Sequence, residues 1–371
     1  MSDDVVVEVT RRGWLQRLGG SLVGALIGVL LLPASIWLLV WNEGRAVEAI
    51  DALDAGQRAV VLVSSGAVDP AFEGRLVHVS GPVAVPGRLE DPAFRVGGGG
   101  LLRLRRTVEM YQWREETETK TETGLGGKET TTTVYRYVKG WSDSPVDSSG
   151  FKRPAGHANP PMPHRGATFD ARAAWLGAFR LDQGTIRQLD DFQPLAGEPA
   201  RLPSGFRRVG SWYFRGDSAD NPEIGDLRVA FSVVPAQELS VVARQAGDAL
   251  VPYHDPGGFE INLVAVGQHG PDAMFRQAKS DEALLTWLLR GVGFLAMLFG
   301  VVLVAGPVAW FASIVPFLGS LVGAAAFVLG LIVAVPLSLA TIAIAWLAYR
   351  PLIGGALLVA AVAAAVVLRR L

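Results

Sequence analysis

Twenty-four consecutive residues, Leu18 to Trp41, carry no charge. As a helix the run reaches about 36 Å at about 1.5 Å per residue, more than the roughly 30 Å of hydrocarbon in a bilayer. A cleaved leader is the rival reading, because Arg11, Arg12 and Arg17 precede the run and Pro33-Ala34-Ser35 resembles a processing region. Leader cores span only about 7–15 residues. This run continues to Trp41, so residues 18–41 are read as an uncleaved first span after a cytoplasmic segment, 1–17.

A second apolar tract begins after Arg290. Residues 291–312, 318–348 and 352–368 read as three further spans, separated by Pro316 and by Tyr349-Arg350-Pro351. The middle one is long enough to require tilt or a kink near Pro336. Half the chain is hydrophobic and 19% is charged, below the roughly 25% of soluble domains. Four spans return the chain to its starting side. Arg11, Arg12, Arg17, Arg369 and Arg370 lie on that side, against Arg350 on the other. Short segments rich in arginine stay in the cytoplasm, which predicts cytoplasmic ends and a domain on the opposite face.

No Asp, Glu, Lys, Arg or His lies inside the four spans. Proton relays, voltage sensors and ion-coupled carriers normally need such groups. The spans instead carry glycines four residues apart: Gly20, Gly24 and Gly28 in the first, Gly319 and Gly323 in the third. That spacing puts them on one helix face, where another backbone can come close, in the same chain or a second copy.

Residues 42–290 are predicted to form an α+β domain inserted between the first and second spans. Residues 43–58 continue the first helix outward, and 171–179, 184–192 and 271–289 have helical character. Strands are expected at 59–63, 75–79, 210–215, 227–234, 239–244 and 260–266. The strongest hairpin signal joins 103–116 to 131–141 through Gly124-Leu125-Gly126-Gly127. Near its tip, residues 118–123 are polar on both faces, so the tip is expected in water. Asp143 to Pro163 reads as a long loop.

Chemistry-bearing patterns are sparse. With no cysteine there is no disulfide, zinc-thiolate site or thiol nucleophile. The five histidines form no metal-ligand spacing, and neither G-x-S-x-G nor a phosphate loop occurs. Asp217, Asp220, Glu223 and Asp226 are a candidate cation cluster, but Pro222 and Gly225 already account for a turn there. A net charge of −1 gives no case for nucleic acid. No cofactor is implied.

Several motifs resemble the transmembrane protein 43 (LUMA) family. They are Asn42-Glu43-Gly44-Arg45-Ala46-Val47; Val108-Glu109-Met110-Tyr111-Gln112-Trp113; Gly156-His157 with Asn159-Pro160; and Gly225-Asp226-Leu227-Arg228-Val229. Val242-Ala243-Arg244-Gln245, Thr286-Trp287 with Arg290, and Tyr349-Arg350-Pro351-Leu352 extend the likeness, from about residue 36 to about residue 352. The resemblance implies a multipass protein of internal membranes. Eukaryotic members lie in the endoplasmic reticulum and inner nuclear membrane with a lumenal domain, self-associate, and are linked to emerin and lamins. Arginine bias (only five lysines among 34 basic residues) points to a bacterial chain, to which lamina partners do not carry over. An inner-membrane protein with a periplasmic domain is expected.

The family supplies no catalytic residue, so the matching positions are candidates without assigned roles. Asn42, Glu43, Arg45, Trp287, Arg290, Tyr349 and Arg350 are expected to anchor helix ends at the headgroups. Glu109, Tyr111, Trp113, His157, Asn159, Asp226, Arg228 and Arg244 are candidate motif residues in the domain, with Arg228 and Arg244 expected to pair with an acid such as Glu109 or Asp226. The function expected is a non-enzymatic membrane scaffold that self-associates and gathers lipids or other membrane proteins. The alternative is a channel or carrier whose pore uses Ser313, Ser320, Ser338 and Thr341.

Overall fold

The computed structural model describes residues 5–12, 14–123, 129–196, 203–312 and 316–349. Three long helices dominate its apolar part: α1 (Trp14–Ala59), α3 (Pro271–Ala312) and α4 (Pro316–Tyr349). Each is long and apolar enough to cross a membrane. α1 has 46 residues, roughly 69 Å at about 1.5 Å each, so it outlasts the bilayer by several turns. The helix expected at 43–58 is its C-terminal end. The fourth expected span, 352–368, lies outside the described residues, as does Arg350. α4 runs through Pro336 as one helix.

The chain divides into two compact units. One comprises Met1–Val7, Asp54–Glu118 and Val134–Arg276; it is β-rich. The other comprises Glu8–Leu53, Thr119–Thr133 and Gln277–Leu371, and holds the apolar helices. An α+β domain was expected, and the β-rich unit has less helix than that: α2 (Gln183–Gln188), capped by the Asp182 carboxylate on Gly184 N–H, is short. Residues 171–179, expected to be helical, instead contain the strand Trp175–Leu176, paired antiparallel with Phe179–Leu181. Gly177 at φ +59 makes the turn, and a Cβ there would sit 2.1 Å from the Ser65 carbonyl oxygen. Alanine content favoured helix locally; the left-handed glycine decided otherwise.

A seven-stranded sheet centres on Glu238–Ala246, paired antiparallel with Leu76–Ala84 and Leu263–Val266. Leu239 to Ala243 are buried on both faces, as in a central strand. Val77, Val79, Leu176, Phe179, Val241 and Leu250 belong to its core. An eight-stranded sheet contains the long hairpin Leu101–Thr123 and Glu129–Ser142, and next to the first of these Leu227–Pro235. Leu227, Val229, Phe231 and Val233 alternate inward, the period-two pattern of a half-buried strand. Beside the second hairpin strand lies Val5–Arg12, where no strand was expected.

In the helical unit α1, α3 and α4 meet around Leu39, Met297, Leu298 and Ala334. A Cβ on Gly28 would lie 2.6 Å from the Gly300 oxygen, one on Gly293 2.6 Å from Leu39, and one on Gly330 2.8 Å from Leu298. Gly24 faces Leu303 of the same chain at 3.6 Å, while Gly20 and Gly323 meet nothing within 4 Å. Gly28 therefore packs within the chain, through a glycine pair the four-residue spacing did not reveal. The side-chain surroundings of Gly319 lie outside the described residues.

Candidate functional site

Two charge boundaries and a tryptophan, far apart in sequence, meet in space. Glu43 is the first charge after the apolar run of α1, Arg290 the last before that of α3, and Trp346 lies near the end of α4. Glu43 is 2% exposed. Its carboxylate accepts from Arg290 Nε at 2.7 Å, Arg290 Nη2 at 2.8 Å and Trp346 Nε1 at 2.6 Å. Paired, fork-shaped donation of this kind satisfies a buried carboxylate far better than a single contact. The Arg290 guanidinium also lies 4.8 Å from the Trp287 ring centroid.

The neighbouring motif residues extend the knot. Asn42 is fully buried and donates to the Thr286 carbonyl at 3.1 Å. Arg45 pairs with Glu282 at 2.6 Å and donates to the Thr286 hydroxyl at 3.3 Å. Gly44 lets the Tyr349 ring approach, since a Cβ there would sit 2.7 Å from its Cζ. A cavity of about 180 Å³ opens beside the ion pair, with Val47, Ile50, Glu282, Trp287 and Arg290 in its wall. The sequence reading named Asn42, Glu43, Arg45, Trp287, Arg290 and Tyr349, and the structure brings them to one place. Thr286 stood in the same motif as Trp287, while Glu282 and Trp346 were missed. A tryptophan inside an apolar run was the available signal, because its indole N–H needs an acceptor.

The domain motifs form a second polar knot, against the hairpin. Asn159 accepts from Trp113 N–H at 2.8 Å and donates to the Trp113 and Val146 carbonyls at 3.0 and 3.2 Å. Its amide thus copies a strand neighbour and ties the 143–163 loop to the hairpin. Gln112 does the same, donating to the Ser144 carbonyl and accepting from Val146 N–H. His157 stacks on Tyr137 at 4.0 Å and meets Trp113 edge-on at 4.7 Å, and its Nδ1–H donates to the Arg153 carbonyl. Tyr111 exchanges backbone bonds with Gly225 and Asp226.

Arg228 pairs with Glu109, its register partner across the sheet, and its guanidinium lies 4.5 and 4.6 Å from the Trp141 and Trp212 rings. Arg244 is exposed and pairs with neither Glu109 nor Asp226. Asp226 accepts from Glu223 N–H at 2.8 Å, closing the acidic turn on itself. Among the described residues no three acids or histidines are grouped to hold a metal.

His78 is buried, and burial lowers its pKa below the ordinary 6.5. Its Nε2–H donates to the His269 carbonyl at 2.8 Å. The Ser80 hydroxyl, 3.4 Å from that nitrogen, therefore faces a donor where a nucleophile would need a base. His164 is likewise lowered, by burial first and then by Arg215 and Arg106.

A sequence profile described as Transmembrane protein 43 matches residues 110–351. Transmembrane protein 43 of Rattus norvegicus is 34% identical over 355 residues, covering 92% of this chain and 88% of the relative. The Homo sapiens protein is 34% identical over 366 residues, 95% of this chain and 90% of its own. The Drosophila melanogaster homolog is 33% identical over 344 residues, 91% of each. No solved structure matches the chain.

Proposed function

Because the chain belongs to the transmembrane protein 43 family, we propose that it is a non-enzymatic membrane scaffold, holding a β-rich domain at a bilayer and self-associating to gather other membrane proteins. The observation that carries this reading is how the motif side chains are used. Glu43, Arg290, Glu109, Arg228 and Asn159 are all committed to internal ion pairs or hydrogen bonds. Such commitments fix helix ends and loops. They leave little to poise a proton or a nucleophile.

The channel alternative draws less support. The Ser338 and Thr341 hydroxyls donate to the Val335 and Leu337 carbonyls of their own helix. The site proposed for action is a bacterial inner membrane, with the domain periplasmic. Crosslinking in native membranes followed by mass spectrometry tests the scaffold: a ladder of copies and recurrent partner proteins is expected. A protein that stays monomeric at every dose, or that releases dye from liposomes, would overturn it.

A further inference from the structure

We propose that the cavity beside Glu43 and Arg290 binds the headgroup of a zwitterionic phospholipid carrying a primary amine, with the phosphate on Arg290 and the ammonium on Glu282. This rests on the reading that the cluster lies at the bilayer surface, where the apolar runs of α1 and α3 end.

The wall chemistry selects that ligand. Arg290 uses Nε and Nη2 on Glu43, and its Nη1 has no partner among the described residues. Glu282 receives Arg45 on Oε2, and its Oε1 likewise has none. Both residues line the cavity, so one wall offers a donor for an anion and another an acceptor for a cation. The formal charges of Glu43, Arg45, Glu282 and Arg290 cancel, which disfavours a purely anionic guest. Val47, Ile50 and Trp287 supply apolar wall for the glycerol end of a lipid.

The test is native mass spectrometry of the full chain, exchanged in detergent against phosphatidylethanolamine, phosphatidylcholine, phosphatidylglycerol or inorganic phosphate. Phosphatidylethanolamine should be retained with about a tenfold preference over phosphatidylcholine, the ratio one charge-assisted hydrogen bond supplies. Ala283→Phe, which fills the cavity, should abolish that preference while thermal unfolding shows the protein still folded. Equal retention of all three lipids by the wild type, or preference for phosphatidylglycerol, overturns the proposal whether or not the variant folds. Binding of inorganic phosphate without lipid assigns the site to a free anion and overturns it too. Scaffold crosslinking is read separately, so either idea can fail alone.

Discussion

Glu43 and Arg290 lie where removing one partner strands the other. Glu43→Gln should cost about 3–5 kcal/mol, because Arg290 would remain largely buried without its counter-charge. Replacing both, as Glu43→Leu with Arg290→Met, should recover much of that loss, since two apolar side chains need no solvation. Thermal unfolding in detergent checks this, and a double variant no better than the singles would refute the pairing's energetic role. His78 gives a residue-scale pH dependence. Its folded-state pKa is depressed by burial, so the unfolded chain takes up the proton first as pH falls. Stability is therefore full above about pH 6.5 and declines below it until the folded-state value is passed. Replacing His78 with Gln should flatten that part of the curve, measured as unfolding midpoints from about pH 7.5 to about pH 5.

At the scale of elements, glycine positions separate by what they touch. Gly28→Leu should destabilise the chain itself, because the new side chain meets the Gly300 carbonyl of α3. Gly20→Leu should be nearly silent by the same measure, as nothing lies within 4 Å of its added Cβ. Unfolding temperature in detergent distinguishes them, and equal effects would discard the packing argument. The hairpin tip makes a different prediction. Residues 116–122 are exposed, so deleting 120–130 and rejoining the strands should leave the β-rich unit folded, as judged by near-ultraviolet circular dichroism. Why some elements were legible is physical. Length and absence of charge fix a membrane helix from a local window, and alternation fixes Leu227–Pro235. The register that sets Arg228 against Glu109, or α3 against Gly28, depends on residues over a hundred positions away. Composition hinted at partners for those side chains and could not choose among them. Residues 171–179 failed for a nearer reason: one left-handed glycine outweighed helix-forming alanines.

For the whole molecule two physical arguments meet at the N-terminus, and they differ. Arg11, Arg12 and Arg17 before the apolar run of α1, with Arg369 and Arg370 at the other end, favour cytoplasmic ends and a domain across the membrane. The sheet order instead sets Val5–Arg12 beside Glu129–Ser142, which requires one compartment wherever the two pair. Among the described residues the strand has a single neighbour, and it exposes Val5, Val7 and Val9 at 45%, 58% and 55%. Such an edge contributes little stability, whereas each arginine resists translocation during insertion. Cytoplasmic ends are therefore expected. The chain has no cysteine, so single cysteines can be placed without background. A cysteine at Ser149, on the β-rich unit, should react with an impermeant maleimide added outside intact bacterial spheroplasts. One at Ser2 should react only after lysis. Labelling of both from the same side would reject the charge argument and leave the strand pairing as the feature that sets the topology.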